Sequence, residues 1–565
     1  MEIALETSLP TYSGGLGVLA GDTLRAAADL GAPMVAVTLL HRKGYFVQHL
    51  DAAGRQTETP VEWSPEARLT ALDARTSIEI EGRTVHLRAW QYTVRGVSGR
   101  VVPVFLLDSS LPENAPDDQN ITDVLYGGDN EYRLRQEIVL GLGGAAMLRS
   151  LGYDGDVIHH INEGHAALLT LGLLERERDG QWDGAVSEAD VAAVREQCVF
   201  TTHTPVPAGH DKFPIDLARR VLGAKRVTLL QAAGALDGDW LNMTFLALRF
   251  TRYVNAVAMR HQDVSREMFP RSEIESITNG VHGVTWTSEP FCQLFDRHIP
   301  RWRQDNMYLR YAVKIPLDEI RDAHAAVKGT LLGEVKRRTG VQLDPKVMTI
   351  GFARRSTPYK RADLIFTDLE RLRAMARRVG PLQIIYAGKA HPRDEPGKQL
   401  IQRIFEASAK LGDAVKVVYL EKYDMALGGL LTAGSDVWLN TPMRPLEASG
   451  TSGMKAALNG VPSFSILDGW WVEGCVEGVT GWSIGEDHGM QKDPSHDAVD
   501  LYRKLEQEIL PLYYGLPYRW AAVSQNAIAL NGSFFNTQRM VSEYFQNAYF
   551  PGGGVVQKME SVAVG

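Results

Sequence analysis

Residues 347–361 read VMTIGFARRSTPYKR, and this stretch decides the fold class. The run 347–352 is short, apolar and rich in β-branched residues, which predicts a buried strand. Four cations follow within eight residues: Arg354, Arg355, Lys360 and Arg361. A loop after a buried parallel strand lies at the ligand-binding edge of its sheet. The pattern therefore favours a phosphate site over a solvated basic loop.

Similar strand patterns alternate with helical patterns through most of the chain. The predicted strands are 33–40, 101–107, 157–161, 197–202, 347–352, 382–387, 415–420 and 437–439. The predicted helices are 22–30, 131–150, 164–177, 317–338 and 398–411. This alternation predicts an α/β fold with largely parallel sheets and functional residues in strand-to-helix loops. Residues 60–100 instead predict an antiparallel hairpin that turns at Glu81-Gly82.

A long charged helical stretch precedes the strand at Val347 and indicates a division of the chain. We interpret the sequence as two Rossmann-like domains, residues 1–285 and 286–550. The last helices of the second region are candidates for a return to the first domain. Residues 551–565 form a Gly-rich tail that is expected to be loose.

Composition excludes several classes of protein. The chain has 60 basic and 68 acidic residues, a net charge of -8, which predicts no nucleic-acid or membrane partner. No apolar run approaches the ~18 residues of a membrane span, and residues 1–24 lack the basic start of a signal peptide. Three widely spaced cysteines, Cys198, Cys292 and Cys475, indicate the reducing cytoplasm. His159, His160 and His165 lack metal-ligand spacing, so they are interpreted as structural and no metal is predicted.

Residues 447–460, EASGTSGMKAALNG, predict a turn of small residues that leads into a short helix. Thr451 and Lys455 are four residues apart and therefore share one face of that helix. Backbone amides at 451–453 suit a phosphate, and the Lys455 amine suits an aldehyde, so pyridoxal phosphate is favoured. The alternative is an ordinary surface lysine, but the apolar neighbours Met454 and Leu458 predict that Lys455 is buried.

Two signals are weaker. The Gly-rich turn Tyr12–Gly17 suits either an anion or sugar site or a purely structural turn. His203 follows a predicted strand, where capping a turn is favoured over binding a sugar hydroxyl.

Together these segments resemble the α-glucan (glycogen, starch and maltodextrin) phosphorylases, in particular their shorter bacterial and archaeal branch. The resemblance extends from Met1 to about Glu473. The blocks that carry it are TYSGGLGVLAGD, ITDVLYGGDNEYRLRQEIVLGLGG, INEGHAALL, TTHTPVPAGHD, TNGVHGVTW, the YKRAD loop, YAGKAHP and EASGTSGMKAALNGVPSFSILDGWWVEG.

The resemblance implies a GT-B fold, with two Rossmann-like domains facing each other across a cleft. It also implies retaining transfer of glucosyl units from an α-glucan or maltodextrin to inorganic phosphate, giving glucose 1-phosphate. In this family the cofactor phosphate passes a proton through the substrate phosphate to the leaving oxygen. Members are often dimers, so a homodimer is one candidate assembly.

By motif position, the resemblance implies that Lys455 is the Schiff-base lysine of pyridoxal 5′-phosphate. The other implied cofactor contacts are Thr451, Ser452, Arg354, Tyr423 and Trp286. The substrate phosphate is assigned to Arg355 and Lys360, with the backbone of Gly14, Gly15 and Leu16 close to the substrate. The implied sugar contacts are His203, Asn279, Tyr359, Glu447, Ser449 and Gly450. The implied catalytic set is Lys455, Arg355, Lys360, Glu447 and His203.

The sequence departs from the animal and plant enzymes at several positions. Arg354 replaces a lysine beside the cofactor phosphate, and Asp424 replaces an arginine. Thr-Ser-Gly replaces Thr-Gly-Asn before Met454-Lys455. The chain also starts inside the expected first strand, and it has no counterpart of the animal regulatory segment, so phosphorylation control is not expected.

Two other functions compete. A nucleotide-sugar glycosyltransferase of the glycogen-synthase kind would share the GT-B fold, and Lys455 argues against it. A non-catalytic glucan-binding protein is the second, and Arg355, Lys360, Glu447 and Lys455 argue against it.

Overall fold

The computed structural model describes residues 1–178, 180, 185–206, 209–485 and 495–551. The described chain folds into two compact units. Unit 1 contains Met1–Tyr45, Pro60–Thr278 and the described residues from Met540 onward. Unit 2 contains Phe46–Thr59 and Asn279–Arg539. The domain boundaries at 285/286 and 550/551 stay a prediction, and residues 552–565 of the expected loose tail lie outside the described residues.

Most of the strands are short. They are β1 Ala36–Leu39, β2 Val47–Leu50, β3 Gln56–Thr59, β4 Thr70–Ile80, β5 Arg83–Arg95, β6 Val101–Asp108, β7 His159–Asn162, β8 Cys198–Thr201, β9 Lys212–Pro214, β10 Trp240–Asn242, β11 Tyr253–Ala256, β12 Glu275–Ser276, β13 Met348–Ala353, β14 Leu382–Ala387, β15 Lys416–Leu420, β16 Val437–Asn440, β17 Ser463–Ile466 and β18 Gly481–Ile484.

The α-helices lie between them. They are α1 Gly15–Leu30, α2 Pro116–Gln119, α3 Asn130–Ile138, α4 Gly144–Ser150, α5 Leu169–Glu177, α6 Glu188–Glu196, α7 Ile215–Val221, α8 Ala224–Ala232, α9 Met243–Arg249, α10 Met259–Met268, α11 Gly283–Trp286, α12 Glu289–His298, α13 Leu317–Thr339, α14 Leu369–Arg378, α15 Glu395–Leu411, α16 Met425–Gly434, α17 Ser452–Leu458, α18 Trp471–Gly474, α19 Ser495–Lys504, α20 Leu510–Gly515, α21 Pro517–Asn526 and α22 Thr537–Glu543. No helix in the described part of the chain is both long enough and apolar enough to span a membrane.

Unit 1 contains a parallel sheet and a mixed sheet. The parallel sheet has the order β12-β11-β8-β7, and the mixed sheet has the order β1-β6-β5-β4. The mixed sheet contains the predicted hairpin, because β4 and β5 pair antiparallel and turn at Glu81 and Gly82, which both have positive φ. Strands β9 and β10 form a separate antiparallel pair.

Unit 2 is built on a parallel sheet with the order β15-β14-β13-β16-β17-β18. All residues of β13 and β14 are buried, as expected for strands covered on both faces. The predicted α/β class with largely parallel sheets is therefore confirmed. The short hairpin β2–β3 belongs to this unit through side-chain contacts: Gln48 donates to Gly388 O at 2.8 Å, and Gln56 donates to Ala390 O at 2.9 Å.

Two predictions near the start of the chain are wrong. The first helix begins at Gly15 and not around Asp22. Two of its glycines pack closely on the preceding loop: a Cβ at Gly17 would lie 2.8 Å from Glu2 Oε2, and a Cβ at Gly21 would overlap Ala4 O. This packing outweighs the poor helix propensity of glycine. Residues 1–14 form no strand, and the amide of Ile3 donates instead to Thr11 O in a loop.

Candidate active site

The carboxyl edge of the unit 2 sheet brings two of the predicted motifs together. Strand β13 ends at Ala353 and leads into the basic loop, while β16 ends at Asn440 and leads into the loop that carries Glu447. The two strands pair in parallel, with Ile350 opposite Val437. Because parallel neighbours end at the same edge, the loops that follow them are adjacent.

Glu447 joins these loops through a single carboxylate oxygen. Arg354 Nη1 and Lys360 Nζ each lie 2.6 Å from Glu447 Oε2, and all three side chains are buried. Burial alone would raise the pKa of Glu447, but the charges and hydrogen bonds of Arg354 and Lys360 outweigh it and lower the pKa to about 2. The group is therefore an ionised carboxylate between two cations at neutral pH.

Each partner of Glu447 is fixed by a further contact. Arg354 also donates to Asn440 Oδ1, and the Lys360 ammonium lies 4.5 Å from the centre of the Tyr359 ring. The backbone amide of Glu447 donates to Asp468 Oδ2 at 2.8 Å. Arg355, which follows Arg354 in the chain, is exposed to solvent.

The loop that follows Glu447 presents polar groups from a buried position. The amide of Trp470 donates to Ser449 O at 2.9 Å, and Gly450 has a φ of 89°, which favours glycine. The Ser449 hydroxyl is buried and has no hydrogen-bond partner among the described residues. The same holds for Oδ1 of Asn279, which also belongs to unit 2. Buried polar atoms without partners are unusual, and both fit a ligand contact.

Lys455 lies on α17 and is only 8% exposed, so the predicted burial is confirmed. Its Nζ lies 3.7 Å from the centre of the Trp286 ring, and Trp286 is itself buried. Asn459 links the backbones of the two residues: its Nδ2 donates to Trp286 O at 2.8 Å and to Lys455 O at 3.0 Å. An amine is thus held against an aromatic face.

Ser452 and Tyr423 lie in the same part of unit 2. The indole N–H of the buried Trp438 donates to Ser452 Oγ at 3.0 Å, which leaves the Ser452 hydroxyl hydrogen for another acceptor. Thr451 precedes Ser452, and its carbonyl accepts the amide of Lys455. Burial raises the pKa of Tyr423 to about 12, so this phenol is neutral.

Two of the departures from the animal and plant sequences have structural reasons. Asp424 caps α16, because its Oδ1 accepts the amide of Leu427 at 2.8 Å. Gly453 leaves room for Trp470: a Cβ at position 453 would lie 2.7 Å from Trp470 Cζ2 and 2.9 Å from Ser463 Oγ. An asparagine at 453 would not fit beside this tryptophan.

The remaining predicted residues belong to unit 1. The amide of Gly14 donates to Glu2 Oε2 at 3.0 Å, whereas the space where a Cβ of Gly15 would lie is open. Leu16 is on the first turn of α1. His203 follows β8, and burial lowers the pKa of its imidazole to about 3, so the ring is neutral.

Glu137, His165 and Asp211 have ligand atoms within 4.8 Å of one another, an arrangement that could hold a metal ion. Arg133 already lies among them. It donates to Glu137 Oε1 at 2.9 Å and to Asp211 Oδ2 at 2.8 Å, and its Nη2 lies 2.8 Å from His165 Nδ1. The group is thus an ion-pair network around a guanidinium.

Sequence reasoning missed Asn440, Asp468 and Glu163 as neighbours of the predicted site residues. Asn440 ends β16, Asp468 closely follows β17 and Glu163 directly follows β7. A polar residue at the carboxyl end of a predicted strand is the signal that could have identified Asn440 and Glu163. Asp468 follows no predicted strand, so the same signal does not identify it.

Comparison with known proteins gives a consistent class. The sequence profile of the carbohydrate phosphorylase family matches residues 223–481. A maltodextrin phosphorylase of Thermococcus litoralis is 42% identical over 97% of this chain and 70% of its own length. A glycogen phosphorylase of Mycobacterium tuberculosis is 36% identical over 98% of this chain and 70% of its own length. A glycogen phosphorylase of Aquifex aeolicus is 35% identical over 97% of this chain and 85% of its own length.

These similarities, together with the α/β fold and the lysine-bearing site, define a phosphorylase-type glycosyltransferase. The chain belongs to the carbohydrate phosphorylase family.

Proposed function

We propose that this chain is an α-1,4-glucan phosphorylase. It transfers the terminal glucosyl unit of an α-glucan or maltodextrin to inorganic phosphate, with retention, and gives glucose 1-phosphate. The observation that carries the proposal is the cluster in which Arg354 and Lys360 meet the ionised Glu447, in a loop that leads into the helix α17 that carries Lys455. Family membership and the names of the relatives support the same reaction.

The residues around Lys455 fit pyridoxal 5′-phosphate. Lys455 supplies a buried amine, Trp286 an aromatic face 3.7 Å from that amine, and Ser452 a hydroxyl whose orientation Trp438 fixes. Thr451 and Arg354 are proposed to hold the cofactor phosphate, and Tyr423 to enclose the ring. When bound, the cofactor supplies a phosphate group that exchanges a proton with the substrate phosphate.

The substrate phosphate is proposed to bind Arg355 and Lys360. Lys360 is buried, so its charge acts on the phosphate with little screening by water. The ion pair with Glu447 fixes the Lys360 side chain and compensates the lysine charge before phosphate binds. The backbone of Gly14, Gly15 and Leu16 is proposed as a further contact.

The glucosyl unit is proposed to bind Glu447, Ser449, Gly450, Asn279, Tyr359 and His203. Glu447 accepts hydrogen bonds from sugar hydroxyls through its second oxygen, because a carboxylate has no donor of its own while ionised. Ser449 Oγ and Asn279 Oδ1 are buried and have no hydrogen-bond partner among the described residues. The bound sugar supplies those partners. Together these contacts fix the glucosyl unit against the phosphate, and fixed geometry lowers the barrier to transfer.

We further propose that the two units correspond to the Rossmann-like domains of a GT-B fold. The parallel sheets of both units support this assignment. A cytoplasmic location is proposed because Cys198, Cys292 and Cys475 form no disulfide in the described part of the chain. The oligomeric state is proposed to be a homodimer, on the resemblance alone.

The test is chemical fixation of the cofactor followed by an assay. Purified protein is reduced with borohydride, and the modified lysine is mapped by mass spectrometry. We expect the pyridoxyl adduct on Lys455, with the buried Lys360 and the partly buried Lys389 as internal controls, since both follow strands at the same sheet edge. We also expect phosphate-dependent release of glucose 1-phosphate from maltodextrin, lost in K455A.

Other results would overturn the proposal. Protein that stays free of cofactor after incubation with pyridoxal phosphate would contradict the cofactor assignment. Glucosyl transfer that requires a nucleotide sugar would instead establish the glycogen-synthase type of reaction, and glucan binding without any transfer would establish a non-catalytic protein.

A further inference from the structure

Glu163 has a backbone conformation that few residues with a side chain adopt. It is the first residue after β7, with φ of 66° and ψ of 165°, and it is only 5% exposed. This region of conformational space is essentially reserved for glycine. A glutamate remains there only when its surroundings stabilise the strained conformation, and such strain clusters at functional sites.

The carboxylate of Glu163 supplies that stabilisation by linking two loops. Its Oε2 accepts the backbone amide of His203 at 2.8 Å and the hydroxyl of Thr204 at 2.8 Å, while its Oε1 accepts the amide of Gly164 at 3.1 Å. Strands β7 and β8 pair in parallel with Asn162 opposite Thr201, so the loops that follow them start side by side. The carboxylate therefore fixes the backbone of His203 to the end of β7.

Asn162, the neighbour of Glu163, fixes the imidazole ring. The Nε2 atom of His203 lies 2.6 Å from Asn162 Oδ1. Burial, with smaller contributions from His261, His160 and His165, lowers the pKa of His203 to about 3. In the neutral ring one nitrogen carries the hydrogen, and an amide oxygen can only accept, so Nε2 is the donor and Nδ1 keeps its lone pair.

We propose that Glu163 and Asn162 are positioning residues that hold His203 as a hydrogen-bond acceptor for a hydroxyl of the glucosyl unit. Glu163 fixes the backbone of His203, and Asn162 selects the tautomer of its imidazole ring. The substrate class is a sugar whose hydroxyl donates to Nδ1, so an analogue that lacks this donor is rejected. The inference rests on the proposed function and on the sugar contact proposed for His203.

The first experiment separates backbone strain from positioning. E163A removes the carboxylate and keeps the strain, whereas E163G removes both, so E163G should have the higher melting temperature of the two. Both variants should lose about 10- to 100-fold in kcat/KM with maltodextrin, the cost expected for a misplaced contact. The KM for phosphate should change by less than about 3-fold, because phosphate is assigned to other residues.

R301G is the matched control, since Arg301 is an exposed residue with φ of 72° and lies outside the proposed site. R301G should relieve the strain of a positive φ and leave the kinetic constants unchanged.

The second experiment asks whether Glu163 acts through His203. H203A should lower kcat/KM at least about 10-fold in the wild type but less than about 2-fold in the E163G background, because residues that act as a unit are not additive. N162L should behave like E163G in the same cycle. Wild-type kinetics for E163G, or full additivity with H203A, would overturn the proposal.

A third measurement does not depend on activity. Nitrogen-15 NMR of histidine-labelled protein should show His203 as the Nε2–H tautomer in the wild type, and N162L should lose this preference. An Nδ1–H tautomer in the wild type would overturn the inference even in an active enzyme. An inactive wild type with the expected tautomer would instead refute the proposed function and leave the assignment of Asn162 standing.

Discussion

Glu447 Oε2 lies 2.6 Å from both Arg354 Nη1 and Lys360 Nζ, so one oxygen atom compensates two cations. Burying any one of these charges alone would be strongly unfavourable, whereas the cluster carries a net charge of only one. A phosphate that binds Lys360 competes with Glu447 for the same ammonium. In the proposed reaction, phosphate binding and the freedom of Glu447 to accept sugar hydroxyls are therefore linked through Lys360.

The same cluster predicts how stability depends on pH. The pKa of Glu447 is lowered from 4.5 to about 2 in the folded protein, so its ionised form stabilises the fold above pH 4.5 and this contribution is lost as the pH falls towards 2. E447Q lacks the titrating group. The difference in the free energy of unfolding between wild type and E447Q should therefore narrow by about 1 kcal/mol between pH 6 and pH 3.5, measured by urea denaturation.

The matched control for that measurement is E273Q, since Glu273 is exposed. Its difference from the wild type should stay small across the same pH range. A difference between wild type and E447Q that widens on acidification would show that Glu447 is not held by Arg354 and Lys360.

The burial of Lys455 could be predicted from the residues around it, because apolar side chains such as Met454 and Leu458 surround it. The contacts of Lys455 could not be predicted in this way. Trp286 precedes it by 169 positions in the chain, and only the resemblance suggested their proximity. Glu163 was missed for another reason, since a positive φ at a glutamate leaves no signal in the sequence.

At the scale of elements, the predicted strands match the observed ones where the sequence is a continuous apolar run. The pattern predicts a strand at 347–352, and β13 spans Met348–Ala353; the pattern at 382–387 coincides with β14. Hairpin β2–β3 was not predicted, because its short strands carry polar residues such as Gln48 and Gln56 whose partners lie after β14. Contacts between β2–β3 and residues so far away in sequence depend on the tertiary structure and not on local strand propensity.

Two glycines of unit 2 show that replacing glycine by alanine has opposite effects on stability in different surroundings. G453A should destabilise the protein by about 1–3 kcal/mol, because the added Cβ would lie 2.7 Å from Trp470. G329A lies in α13, where the position is exposed and no atom outside the local helix backbone lies within 4 Å of the added Cβ. It should stabilise by about 0.5–1 kcal/mol, since alanine is the better helix former.

Thermal and urea denaturation of both variants measure the two effects. A G453A protein as stable as G329A would mean that Trp470 moves away without cost, and the proposed reason for glycine at position 453 would then fail.

At the scale of the whole molecule, the proposed ligands of the cofactor all belong to unit 2: Lys455, Thr451, Ser452, Arg354, Tyr423 and Trp286. A bound ligand stabilises the parts of the protein that it contacts, by about 2.7 kcal/mol at a hundredfold excess over its Kd. Parts of a protein can open with different free energies, so this stabilisation need not spread evenly through the chain.

Removal of the cofactor should therefore lower protection in one unit and not in the other. Hydrogen exchange followed by mass spectrometry should show faster exchange in α17 and α11 of the cofactor-free protein, while β8 and β11 of unit 1 keep the exchange rates of the loaded protein. K455A incubated with pyridoxal phosphate is the control and should resemble the cofactor-free wild type. Equal loss of protection in β8 and α17 would mean that the units unfold as one cooperative body, and the confinement of the cofactor's stabilising effect to unit 2 would be wrong.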